Sequence, residues 1–129
     1  MMKKEKISIE PFRKALNSLT RVLKEPKSDI VRDATIQRFE YTFELAWKLM
    51  KRYFESENKT IETSIKGLFR EAGKVGLVES VEDWFEYLNS HNLTSHTYQE
   101  STAEAVYQVA VRFEKAACFF GDRMEKFLE

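Results

Sequence analysis

With 129 residues the chain is long enough for one domain and too short for two ordinary ones. Apolar residues make up 43%, ten of them Phe, but there are only four Gly and two Pro, which argues against a fold of many tight turns. Lys plus Arg and Asp plus Glu balance at 21 each, so no strong global attraction to nucleic acid or an anionic membrane is expected.

Ile9 to Glu25 is the first periodic segment. Ile9, Phe12, Leu16, Leu19 and Leu23 recur at helical spacing and share one face. Ser8 is placed to cap it and Pro26 to stop it. Residues 1–27 carry eight basic and three acidic side chains, whereas residues 61–100 carry three basic and seven acidic ones. The basic stretch either steers an anionic partner or simply solvates an exposed helix, and composition alone favours the second.

The second helix is expected from Asp29 to Glu57. Val31, Ile36, Phe39, Phe43, Trp47, Met50 and Phe54 keep helical spacing, and Leu45 and Leu49 widen the stripe. Asn58-Lys59-Thr60 reads as a turn. Thr63 or Ser64 is placed to cap a short helix holding Ile65, Leu68 and Phe69, which Gly73 and Gly76 are expected to end. Ser80 then caps a helix carrying Trp84, Phe85 and Leu88 and reaching to about His96, with Glu82 and Asp83 near its positive end.

The last helix spans Ser101 to Leu128, with Val106, Val109, Phe113, Ala116, Phe120 and Phe127 on one face. Ala105, Ala110 and Ala117 permit a close neighbour. Residues 1–129 are thus expected to form a single all-α domain, an up-and-down four-helix bundle with an extra short helix in the middle. The wide apolar faces of the second and last helices suggest more burial than one copy provides. The single Cys118 lies in an apolar run and reads as a small buried hydrophobe. It allows no internal disulfide and suits a reducing, cytoplasmic compartment. No signal segment and no membrane span is read from the sequence.

Phosphate loops, nucleophile elbows and zinc-spaced His pairs are missing from the sequence. Two segments carry polar chemistry. On the second helix, Gln37, Glu40, Tyr41, Glu44 and Lys48 fall on one side, next to Arg38. This stripe is either a ligand or partner groove or a solvated face laced by a Glu44–Lys48 pair, and residue chemistry alone favours the second. In His91-Asn92-Leu93-Thr94-Ser95-His96-Thr97-Tyr98, helical geometry would put the two histidines about 140° apart. One imidazole suits acid–base work; the plainer reading has the polar residues closing a helix end by local hydrogen bonds. The aromatic residues Trp47, Trp84, Tyr53 and Phe119 are read as core or interface, since no basic patch interleaves with them.

Together these segments resemble a known family. The run Asp33-Ala34-Thr35-Ile36-Gln37-Arg38-Phe39-Glu40-Tyr41-Thr42-Phe43-Glu44-Leu45-Ala46-Trp47-Lys48 resembles the signature of the nucleotidyltransferase substrate-binding proteins, members of the HEPN superfamily of helical bundles. Arg70-Glu71-Ala72-Gly73, Gly76-Leu77 and Asn92 to Tyr98 match its later blocks in order, so the resemblance covers about Ile9 to Phe120. It implies a homodimer that docks a separately encoded minimal nucleotidyltransferase. That partner would hold the nucleoside triphosphate and Mg2+, and this chain would bind no cofactor or metal of its own. The stripe residues Gln37, Arg38, Glu40, Glu44 and Lys48, with the His91–Tyr98 segment, are the candidates for the substrate or partner surface.

The resemblance implies an alternative as well. Related pairs are toxin–antitoxin systems in which the bundle is a metal-independent endoribonuclease, silenced by adenylate added to a tyrosine. Asn92 and His96 match that catalytic motif, Tyr98 matches the modified tyrosine, and RNA becomes a further partner. His91 stands where the motif has arginine, and a histidine lacks arginine's permanent charge and planar fork.

Overall fold

The computed structural model describes residues 6–57 and 64–129. Five helices follow in chain order: α1 Glu10–Val22, α2 Asp29–Ser56, α3 Ile65–Val75, α4 Val81–Asn92 and α5 Glu100–Phe127. A 3-10 turn, Thr94–His96, links the last two, and the described residues contain no strand. The turn expected at Asn58–Thr60 and the capping role offered to Thr63 lie outside the described residues.

Side-chain chemistry sets most helix starts. Ser28, Ser64 and Ser80 each accept a hydrogen bond from the backbone N–H three residues on, at Val31, Gly67 and Asp83. The first helix departs from this. Ile9 occupies the cap without a side-chain bond, and Ser8 instead accepts from the Glu10 N–H at 3.3 Å. This helix also ends at Val22, three residues before Glu25, because two tighter bonds, Lys24 to Arg21 and Glu25 to Val22, replace the α pattern ahead of Pro26.

Gly73 does not end α3 but lies inside it; the helix stops at Gly76, whose φ of +82° is left-handed and suits glycine. Gly73 is needed for packing instead. A Cβ there would lie 2.3 Å from Val81 Cγ2, so the start of α4 crosses α3 where no side chain fits.

α2 and α5 run parallel through the middle. Arg32, in the first turn of α2, reaches Glu100 at the start of α5, and Tyr53 and Phe127 pack near the other end with ring centroids 5.6 Å apart. α1 lies antiparallel along one side, with Phe12 against Phe120 at 5.3 Å and Thr20 donating to Glu114 at 2.9 Å. α4 lies antiparallel on the other side, with Trp84 on Phe120 and Tyr87 on Phe113; α3 packs on α4 and α2. This is the expected four-helix bundle with its extra short helix.

Phe43 sits at the centre. Its ring centroid lies 5.1–6.2 Å from those of Phe39, Phe69, Trp84, His91 and Phe113, which come from four of the helices. Such edge and offset contacts add to the burial term. Ala110 and Ala117 are fully buried where α5 meets its neighbours, but Ala105 is exposed. Trp47, Tyr53 and Phe119 are only half-buried, and Cys118 is half-buried with its Sγ donating to Glu114.

The faces of α2 and α5 bury most of their apolar residues against one another and against α1 and α4, so a single copy covers more of this surface than the spacing suggested. Among the described residues four large apolar side chains stay exposed: Ile30, Leu93, Tyr98 and Val111. The first three belong to one end of the bundle, where α2 starts, α4 stops and α5 begins. No helix among the described residues is long and apolar enough to cross a membrane.

Candidate functional site

The polar stripe of α2 divides between two neighbours. Tyr41 faces α1, where its hydroxyl lies 2.8 Å from Ser18 Oγ. Glu44 faces α4, where its Oε1 lies 3.0 Å from His91 Nε2. The expected Glu44–Lys48 pair is not formed: a carboxylate that can reach a half-buried imidazole across the helix gap is held there, while the Lys48 ammonium stands 5.8 Å from the centre of the Trp47 ring. Gln37 and Lys48 are exposed and Glu40 is half-buried.

Arg38 departs from the stripe, as its place one residue after Gln37 requires. Its guanidinium turns toward α1 and donates through Nη1 to the Ala34 carbonyl at 3.0 Å. There it lines a groove of about 340 Å³ with Ser18, Arg21, Val22 and Glu25.

His91 is the most enclosed of the residues singled out in the second segment. Its ring packs on Phe43 with centroids 5.1 Å apart, and a carboxylate only accepts, so Nε2 must carry the hydrogen shared with Glu44. Its carbonyl accepts from Thr94 Oγ1 at 2.7 Å, and the Thr94 carbonyl accepts from Thr97 Oγ1 at 3.1 Å. These local bonds end α4 at Asn92 rather than His96, in the manner typical of Thr side chains at helix ends. Beyond them the chain is open. Asn92 and His96 are exposed, Tyr98 is 79% exposed, and the His96 and Tyr98 rings lie 6.2 Å apart.

Behind Tyr98, Arg32 anchors the start of α5. Its side chain is buried, bonds Glu100, and reaches Asp33 at 3.2 Å. Those carboxylates push its pKa up against the opposing effect of burial, with the Glu100 hydrogen bond the largest contribution. A further cleft of about 250 Å³ between α4 and α5 is lined by Ser80, Asp83, Trp84, Tyr87, Arg112 and Phe119, among others. Burial there pushes the Tyr87 hydroxyl up to about 12.

Ser18, Arg21 and Arg32 carry site geometry that the sequence did not single out. Ser18 and Arg21 lie on a basic amphipathic helix, where nothing distinguishes a groove wall from a solvated face; Arg32 lies just before the signature run and looks like any surface charge.

The profile of a family described as "Nucleotidyltransferase substrate binding protein like" matches residues 7–126. The chain belongs to this family. Among solved structures, a Haemophilus influenzae protein described as revealing the fold of a substrate-binding domain of a nucleotidyltransferase superimposes with a TM-score of 0.81 at 27% identity, covering 92% of this chain and 99% of its own. A Thermus thermophilus protein superimposes with a TM-score of 0.79 at 34% identity, over 87% and 97% of the respective chains. A Haemophilus influenzae protein named a probable ribonuclease HepT is 37% identical over an alignment of 76 positions that covers 56% of this chain. The chain thus spans about half, 52%, of the length of that curated relative.

Proposed function

We propose that this chain is the accessory, substrate-binding subunit of a two-component nucleotidyltransferase. It acts as a homodimer and docks a separately encoded catalytic chain, which carries the nucleoside triphosphate and Mg2+. The observation that carries this reading is the state of His91. At the position where the superfamily's ribonuclease motif has arginine, the imidazole is packed on Phe43 and its Nε2 is committed to Glu44. Only Nδ1 remains, a poor substitute for a planar cationic fork on phosphate. The exposed Ile30, Leu93 and Tyr98 at one bundle end supply the kind of surface on which a second copy or a partner docks.

Co-expression with a minimal nucleotidyltransferase from the same organism tests the proposal. A stable complex is expected; two proteins that purify apart would contradict it.

A second reading has two observations in its favour: Asn92, His96 and Tyr98 are each exposed, and a relative carries a ribonuclease name. In that reading His96 is the base, Asn92 and His91 hold the phosphate, and RNA is the substrate. The partner silences the chain: the Tyr98 oxygen bonds to the α-phosphorus of ATP, pyrophosphate leaves, and the phenolic proton is released. RNA incubated with wild type and with His96→Ala separates the readings. Cleavage lost in the variant supports the ribonuclease, whereas intact RNA with both supports the accessory subunit.

A further inference from the structure

We propose that the groove between the C-terminal half of α1 and α2, walled by Arg21 and Arg38, holds the phosphate group of a nucleotide. The proposal rests on the reading that this chain handles substrate for a nucleotidyltransferase, and it names where and by what chemistry the chain does so.

The argument starts from Arg38. Partly buried guanidinium groups elsewhere in this protein are compensated: Arg13 bonds Asp122 and Glu125, Arg32 bonds Glu100 and Asp33, and Arg123 donates to the Gly76 carbonyl and lies 5.9 Å from the centres of the Phe119 and Phe127 rings. Arg38 is also half-buried, yet among the described residues its hydrogen-bond partner is the Ala34 carbonyl, taken by one N–H. The other donors of the fork face the groove with no carboxylate on them. A guanidinium is always charged, so holding it partly desolvated with no carboxylate bonded to it favours an anion from outside.

Arg21 stands on the facing helix, also lining the groove. Two arginines on opposite walls form a clamp, and the planar fork matches the oxygens of phosphate. Ser18 lines the same groove and lies 2.8 Å from the Tyr41 hydroxyl. With Tyr41 donating to Ser18 Oγ, the Ser18 hydrogen is left to donate to a ligand in the groove. A phosphoryl group has oxygens enough to accept from both guanidinium groups and a hydroxyl at once. A carboxylate, with two oxygens, is a poorer match for donors on two helices. At about 340 Å³ the groove is at the small end for ligand sites, suited to a phosphate with part of its sugar.

Glu25 also lines the groove and sets a sign test. It is exposed, so solvent screens it, but its charge opposes an incoming anion. Neutralising Glu25 must therefore tighten phosphate binding, whereas it would weaken a cation or a basic peptide.

The experiment is a titration of the purified full chain with ADP, followed by backbone amide NMR shifts, with no partner present. Shifts centred on Ser18, Arg21 and Arg38 are expected with ADP and with inorganic pyrophosphate, but not with adenosine. Arg38→Gln and Arg21→Gln should each weaken ADP by about tenfold or more, Glu25→Gln should strengthen it, and Arg112→Gln in the α4–α5 cleft should leave it unchanged. Arg21 is exposed and its variant will fold even if the Arg38 variant does not.

A short RNA oligomer in a parallel titration identifies the source. If it outcompetes ADP with the same dependence on both arginines, the phosphate belongs to a strand rather than a free nucleotide. No shift in the groove with ADP, pyrophosphate or RNA, or equal binding by the wild type and the Arg21 variant, would overturn the proposal. Because the partner is absent, that failure stays separate from a failure of the two chains to form a complex.

Discussion

Glu44 on α2 and His91 on α4 meet at 3.0 Å, Oε1 to Nε2, and this contact joins the two polar segments of the sequence into one side of the bundle. The geometry requires the hydrogen on Nε2. Nitrogen-detected NMR of His91 should therefore show a protonated Nε2 across the neutral range. Glu44→Gln should change the tautomer balance, because an amide can offer either a donor or an acceptor. An Nδ1–H tautomer in the wild type would show that the contact is misassigned.

Gly73 gives a packing test. Alanine there would place Cβ 2.3 Å from Val81 Cγ2. Overpacking of this kind costs about 1–3 kcal/mol, and Gly73→Ala should lose about that much in chemical denaturation. Val81→Ala in the same chain removes the clashing methyl, so the double variant should recover most of the loss. Additive losses would mean that the two residues do not meet.

Much of the bundle was legible from side-chain spacing because burial follows helical period: Phe12, Leu16, Phe39, Phe43, Phe113 and Phe120 all enter the core. Ser28, Ser64 and Ser80 signal their helix starts because short hydroxyl side chains cap by local geometry. What crosses between helices was not legible. Glu44 is equally placed for Lys48 or for a residue 47 positions away, and only the packed bundle selects His91. Gly73 looked like a helix stop for the same reason, since its function depends on Val81 of another helix. Arg38 could be singled out from the signature run, but Arg21, its partner across the groove, could not.

Thr42 offers a gain of stability. Its Oγ1 is fully buried and without a hydrogen-bond partner among the described residues. An unsatisfied buried hydroxyl is unfavourable, and valine keeps the β-branched shape. Thr42→Val should stabilise the protein by about 1 kcal/mol. A loss of similar size in urea denaturation would show that the hydroxyl has a partner.

Cys118 gives a pH test. Burial pushes its thiol up to about 11, and the hydrogen bond to Glu114 adds to the shift. The folded form thus holds the thiol proton more tightly than the unfolded chain, whose value is near 9. This contribution to stability is complete below pH 9 and is lost as pH rises toward 11. Only about a thousandth of the folded thiol is ionised at pH 8, so disulfide reagents should label it slowly there and progressively faster as pH rises. Glu114→Gln should speed the reaction at fixed pH. Fast labelling of the native wild type at pH 7 would contradict the placement.

In the proposed function a second polypeptide completes the chemistry. Light scattering coupled to size-exclusion chromatography, run on this chain mixed with a minimal nucleotidyltransferase from the same organism, tests this directly. A single peak heavier than either component, containing both chains and at least two copies of this one, is the predicted result. Two separate peaks at the masses of the isolated proteins, at concentrations well above those in the cell, would contradict it.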